Sequence, residues 1–338
     1  MRKLILFSLV ITVLTSCHND DWEFPDYEYN AVYFSYQYPV RTLTMGEDLF
    51  DTSLDNAHKC KIMATWGGGY SNKENVVIDF VVDNSLCNNL TFKDNGADVL
   101  PMPSNYYTLA SNKITIPAGT VSGGVEVQLT DAFFADPLAL HRNYVIPLVL
   151  THVQNADSIL KGKTDLPDAN RCVADNWEVA PKDYILYAVK YINTWDGNYL
   201  RRGKDVVTKG ANTENVLRHE RYVEDDEICK LSTISLSELE FPLVFKDESG
   251  NDINVSLALT FDNEGNCAIA SRSANATATG SGKFVKKGDK NSWGDKDRDV
   301  LYLQYNVDVA GTQQYSTADT LVVRDRGVKM ETFEVVLK

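Results

Sequence analysis

From residue 29 onward the chain is a succession of short β-prone runs divided by turn chemistry, and no long helical period interrupts it. Lys61-Ile62-Met63-Ala64-Thr65-Trp66, Val76-Val77-Ile78-Asp79-Phe80-Val81-Val82, Val125-Glu126-Val127-Gln128-Leu129 and Tyr144-Val145-Ile146-Pro147-Leu148-Val149-Leu150 have the length and the β-branched or aromatic content of strands. Gly67-Gly68-Gly69, Asp83-Asn84, Pro101 to Pro103 and Gly123-Gly124 break them. Roughly seven strands at this spacing predict an antiparallel sandwich of immunoglobulin type over residues 29–160. A polar, breaker-rich stretch at 161–182 reads as a linker, with Trp177 expected to pack between domains. Beyond it, β runs recur from 184–192 to 332–337, joined by turns such as Asp262-Asn263-Glu264-Gly265-Asn266. A long meander without covering helices must hide its edges, so residues 183–338 are expected to close into a β-barrel.

The first residues set location. Met1-Arg2-Lys3 precedes an apolar run from Leu4 to Leu14, too short to span a bilayer, and then Thr15-Ser16-Cys17. Residues 1–16 read as a secretory signal, with Cys17 as the acylated first residue of the mature protein and 17–28 as its lipidated tether. The chain carries a net charge of −14. Loss of the signal, which holds Arg2 and Lys3 and no acid, makes it −16. That balance excludes nucleic acid as a partner, since polyphosphate binding needs a basic footprint. With Cys17 lipidated, Cys60, Cys87, Cys172, Cys229 and Cys267 remain, none at zinc-site spacing. A Cys60–Cys87 disulfide and two buried thiols are both open readings.

Three groups of stretches carry family resemblance. Leu14-Thr15-Ser16-Cys17 resembles a bacterial lipoprotein signal, and Asp20-Asp21 resembles the acidic export tag of Bacteroidetes lipoproteins on the outer face of the outer membrane. Ile114-Thr115-Ile116-Pro117-Ala118-Gly119, with Asn143-Tyr144-Val145-Ile146-Pro147-Leu148 and Asn155-Ala156-Asp157, resembles the immunoglobulin-like N-terminal domain of Bacteroidetes surface lipoproteins of uncharacterised function. Trp195-Asp196-Gly197-Asn198-Tyr199-Leu200-Arg201-Arg202-Gly203, Gly280-Ser281-Gly282-Lys283-Phe284 and Asp319-Thr320-Leu321-Val322-Val323-Arg324-Asp325-Arg326 resemble their lipocalin-like C-terminal domain. Where true lipocalins have Gly-x-Trp, this chain reads Trp-Asp-Gly, which speaks against a lipocalin-style cavity ligand. The resemblance implies a setting beside polysaccharide uptake, with an outer-membrane transporter complex as a possible partner.

No catalytic signature stands out. Gly280-Ser281-Gly282-Lys283 lacks the first glycine and the Ser/Thr of a phosphate loop, and strand follows it. Asp295, Asp297 and Asp299 alternate like a calcium loop but lack its glycine and closing glutamate, so they read as loop charge paired with Lys296 and Arg298. No enzyme, metal or cofactor is expected. Sugars are held by an aromatic face and by planar side chains that hydrogen-bond hydroxyls. Two loop clusters have that composition: Trp195, Asp196, Asn198, Tyr199 and Arg201, and Trp293, Asp295 and Arg298 with Asn291. On a strand, Tyr199 and Arg201 share one face. Tyr70, in the glycine-rich turn after Trp66, is a third candidate. The expected function is non-catalytic glycan binding at the cell surface. A structural or partner-binding role in an uptake complex is the alternative.

Overall fold

The computed structural model describes residues 29–246, 250–309 and 313–338. The expected signal segment 1–16, the expected lipidation site Cys17 and the expected tether 17–28 lie outside the described residues.

The N-terminal domain is a two-sheet sandwich. One sheet runs, in spatial order, Ser158–Ile159, Ala31–Tyr33, Lys59–Gly67, Ser122–Leu129 and Tyr107–Leu109. The other runs Glu331–Thr332, Pro39–Thr44, Tyr184–Ile192, Tyr144–Gln154, Val76–Val82 and Lys113–Ile116. Strict alternation in Lys59–Gly67 sends Cys60, Ile62, Ala64 and Trp66 inward, where they meet Ile78, Ile114, Ile146 and Leu148 of the second sheet. Tyr144–Gln154 is apolar on both faces because the far side is covered too. There Val145, with Leu186 and Ala188, packs under Leu90, Phe92 and Phe333.

The C-terminal domain is a closed eight-stranded antiparallel barrel. Its strands are Gly197–Lys209, Glu227–Ser235, Glu238–Lys246, Asp252–Phe261, Asn266–Ser271, Ala276–Ser292, Lys296–Val309 and Gln313–Asp325. The last pairs with the first from Asn198↔Asp325 to Thr208↔Gln314, which removes the free edges a meander would otherwise expose. Asp262 builds one connecting turn by accepting the N–H groups of Glu264 and Asn266, with Gly265 at positive φ. One seam is half open. Glu227–Ser235 pairs with Glu238–Lys246 only through Ser232, Thr233 and Ser235, and the pairing ends at Glu240. Pro242, which has no N–H to give a neighbour, stands on that unpaired edge beside a depression of about 500 Å³.

The expected domain boundary is corrected. Tyr184–Ile192, expected in the barrel, pairs with Tyr144–Gln154 and, in parallel, with Pro39–Thr44, and so belongs to the sandwich. After the barrel the chain returns. Glu331–Thr332 joins Pro39–Thr44, Val335–Leu337 joins Leu90–Phe92, and Phe333 packs against Tyr38 and Phe92. The barrel is therefore an insertion between two strands of one sandwich sheet. Its two necks are tied by Arg326, whose guanidinium donates to the carbonyls of Met45, Glu47, Asn193 and Asp196. Segment 161–182 is no free linker either. Arg171 grips the buried Asp183 carboxylate, Lys163 bridges Val179, and the Trp177 indole N–H donates to Asn170 O, fastening the segment on itself.

Cys60 and Cys87 are separate free thiols, one in the inter-sheet core and the other in the outer cluster. Burial pushes both thiols up to about 12.

Candidate functional site

The first predicted cluster is turned inward. Asn193 Oδ1 accepts the N–H groups of Trp195 and Asp196, which sets the turn entering Gly197–Lys209. Asp196 is buried against Lys230 and accepts the N–H and hydroxyl of Thr233 at 2.7 Å each. Trp195 stacks on Phe261, centroids 4.1 Å apart and planes within 11°. Asn198 donates to Asp325 across the barrel's closing seam. Tyr199 and Arg201 do share a face, as strand geometry requires, but that face is the barrel lumen. Tyr199 is 1% exposed and donates to Trp195 O. Arg201 pairs with Asp319 and approaches Tyr305, whose hydroxyl donates to the same carboxylate. Arg218 completes the network, bridging Asp319 to Asp205, which also accepts from Thr317.

The second cluster lies on the other side of the barrel wall. Trp293 sits in the hairpin between Ala276–Ser292 and Lys296–Val309 and packs over Leu200, Val300 and Val322. Its N–H donates to Val323 O, and the Arg298 guanidinium caps the ring 3.4 Å from the centroid. Asp295 holds the turn at positive φ. Asp297 accepts from Lys290 and Asn291, and Asp299 from Lys287, which corrects the expected pairing with Lys296 and Arg298. Trp195 belongs to the inner cluster and Trp293 to the outer one, so the two do not form a single platform.

An open arrangement of the sought kind occurs instead at one end of the sandwich. A depression of about 310 Å³, at the small end of ligand-pocket sizes, is lined by Asn30, Trp66, Asn72, Lys73, Glu74 and Asn155, with the glycine-rich loop at its side. Gly68 has φ +110, and a Cβ there would meet Tyr29 O at 2.4 Å, so the loop needs glycine to pass under the N-terminal strand. Asn72 is buried and pins the loop. Its amide donates to the carbonyls of Glu74 and Pro117, and its Oδ1 accepts Thr120 N–H. Asn30 accepts the Trp66 indole N–H at 3.2 Å, leaving Trp66 only 7% exposed, as a wall of the depression. Asn155, at φ 65, donates to Asn75 O and closes the far side. Tyr70, between the lining residues Gly69 and Ser71, is 69% exposed. Sequence reasoning singled out Tyr70 but missed Asn30 and Asn155. The density of Gly, Ser and Asn around residues 67–75 was visible, whereas the approach of residues 30 and 155 depends on strand pairing.

A family model described as a domain of unknown function (DUF5627) matches residues 194–327, the inserted barrel, and a second, described as an N-terminal domain, matches residues 27–157. A crystal structure of a Bacteroides ovatus protein of unknown function is 50% identical, covers 93% of this chain and all of that one, and superposes with a TM-score of 0.88. A candidate carbohydrate-binding protein from Bacteroides ovatus is 13% identical over 89% of this chain and 97% of that one, with a TM-score of 0.28, too low to support an inference. No curated protein matches the sequence.

Proposed function

The chain belongs to the family of the Bacteroides ovatus protein that it matches along that protein's whole length, and we propose that it is a non-catalytic lipoprotein that binds glycans at the cell surface. The amide-lined depression carries this reading. Asn72 is spent on the loop, but Asn30 keeps its side-chain NH2 as a donor and Asn155 its Oδ1 as an acceptor, the two kinds of group that sugar hydroxyls require, and Tyr70, 69% exposed between the lining residues Gly69 and Ser71, adds an aromatic ring beside them. The anchor in this reading is lipid on Cys17, which follows the short apolar signal, and Asp20-Asp21 just after it serves as the export tag to the outer face of the outer membrane.

A glycan array, followed by calorimetry on any retained sugar, tests the reading. Affinity should fall in the micromolar to millimolar range, about 4–8 kcal/mol. Tyr70→Ala should weaken it by about 1–2 kcal/mol, roughly five- to thirtyfold, at unchanged melting temperature. Trp293→Ala should leave the affinity of the folded protein untouched. In cells, Cys17→Ala should abolish labelling by a fatty-acid analogue, and persistent labelling refutes the anchor. An array with no retained carbohydrate refutes glycan binding and leaves the partner-binding alternative.

A further inference from the structure

Beside the amide-lined depression lies a second one of about 290 Å³, whose lining includes Tyr29, Ser158, Lys161, Lys163 and Lys182. The two share a ridge. Tyr29 lines one and Asn30 the other, Asn155 and Ser158 stand on opposite sides, and Asp157 on the ridge exchanges hydrogen bonds with Asn30. Gly162, at φ +77, lets the backbone turn tightly against Val179 and Pro181, which sets Lys161 and Lys163 on the same wall. All three lysines are exposed, and so is Tyr29, at 58%. Lys182 Nζ stands 5.5 Å from the Tyr33 ring centroid, and Lys163 pairs with Glu178, a surface contact that a competing anion can replace at little cost.

Three cations and no acid in the lining of one depression stand out in a chain of net charge −14. The chemistry also differs from that next door. Ammonium groups only donate, so they suit an anion better than a sugar hydroxyl, which needs both donors and acceptors. Charges that line one depression add up wherever they lie within a Debye length, about 8 Å at physiological salt, of the same bound anion. We infer that this cleft is the anion-binding subsite of the glycan site, so that the preferred ligand is a polysaccharide bearing carboxylates, a polyuronate. This rests on the glycan reading above and names its substrate class. A concave cleft fits a polymer chain better than a flat anionic bilayer.

The test uses the full chain with a panel of polyuronates, polygalacturonate among them, their methyl esters and neutral glycans. At low salt the acid forms should bind about tenfold tighter than the esters. The double variant Lys161→Gln/Lys182→Gln should erase that preference while leaving melting temperature and neutral-glycan binding unchanged. Equal binding of acid and ester forms, or a preference that survives in the double variant, overturns the inference, and Tyr70-dependent binding of neutral glycans would leave the glycan reading standing. Failure of every polymer to bind overturns both. Lysine-dependent binding to phosphatidylglycerol vesicles, with no polyuronate preference, would assign the cleft to the membrane instead.

Discussion

The sandwich and the barrel bury their interiors by different means. Between the sandwich sheets the core is aliphatic and aromatic, with Ile62, Ile78, Ile114, Ile146 and Leu148 all at 0% exposure. The barrel lumen mixes Leu257, Phe241 and Leu303 with two arginines and two aspartates, Arg201, Arg218, Asp205 and Asp319, joined by Tyr305 and Thr317. Facing sheets can interdigitate apolar side chains, whereas one sheet curled on itself must fill a lumen from all sides. Arg201 answers Asp319 from the neighbouring strand of the closing seam, with both side chains turned into the lumen, which makes charge tolerable only as a matched set. The sandwich, by contrast, is held by chain topology, since its second sheet includes strands from before and after the barrel.

The largest break in this comparison is expected from Asp319→Ala. Asp319 has no exposed side-chain surface and answers both Arg201 and Arg218, so its removal leaves uncompensated charge in the lumen. The loss should be about 3–5 kcal/mol, read as an earlier calorimetric transition for the barrel with the sandwich transition in place. A loss below about 1 kcal/mol would show that water already shares the network.

Phe333→Ala tests the insertion. This residue lies beyond the barrel yet fills the sandwich's outer cluster, so about 3 kcal/mol should be lost from the sandwich. Hydrogen exchange should quicken in Tyr144–Gln154 and Leu90–Phe92 before Lys296–Val309. Faster exchange in the barrel alone would mean that the tail serves the barrel.

Acidification should produce the smallest effect, with opposite signs at one buried carboxylate of each domain. At Asp205 burial pushes the carboxyl up, but hydrogen bonds from Arg218 and Thr317 outweigh it and hold it below the usual carboxylate range. Its stabilisation is present above the unfolded value of about 3.9 and is lost as pH falls through the lower folded value. At Asp55, in the sandwich, burial outweighs the Thr44 N–H and Arg41 and raises the carboxyl. That contribution is present below about 3.9 and is lost as pH rises through the folded value. As pH falls below about 3.9, Asp205→Asn should therefore flatten the barrel's slope in a melting series. Identical slopes in the variant and the parent would remove Asp205 from the account.

The glycan candidates show where sequence reasoning stopped. Trp195, Tyr199 and Arg201 were correctly placed at the start of a strand with two side chains on one face, but period-two alternation does not say which face becomes the lumen. An arginine and a tyrosine on one face of a strand normally read as surface. Here the partner that draws Arg201 inside, Asp319, lies more than a hundred residues away. Trp293 was placed in a loop, yet its cover is Arg298 and its floor is Leu200, which only the closed barrel brings beneath it.

By itself the sequence determined the all-β class, the succession of strands and turns, and the presence of a sandwich and a barrel, because alternation and breakers act over a few residues. Tertiary structure decided what depends on pairing at long range. It assigned Tyr184–Ile192 to the sandwich, returned the tail around Phe333 to the same domain, and brought Asn30 and Asn155 beside the Tyr70 loop. A β-strand carries no local record of its partner. Any sequence with the right alternation can pair with several neighbours, and the choice among them is made by the packing of the whole sheet.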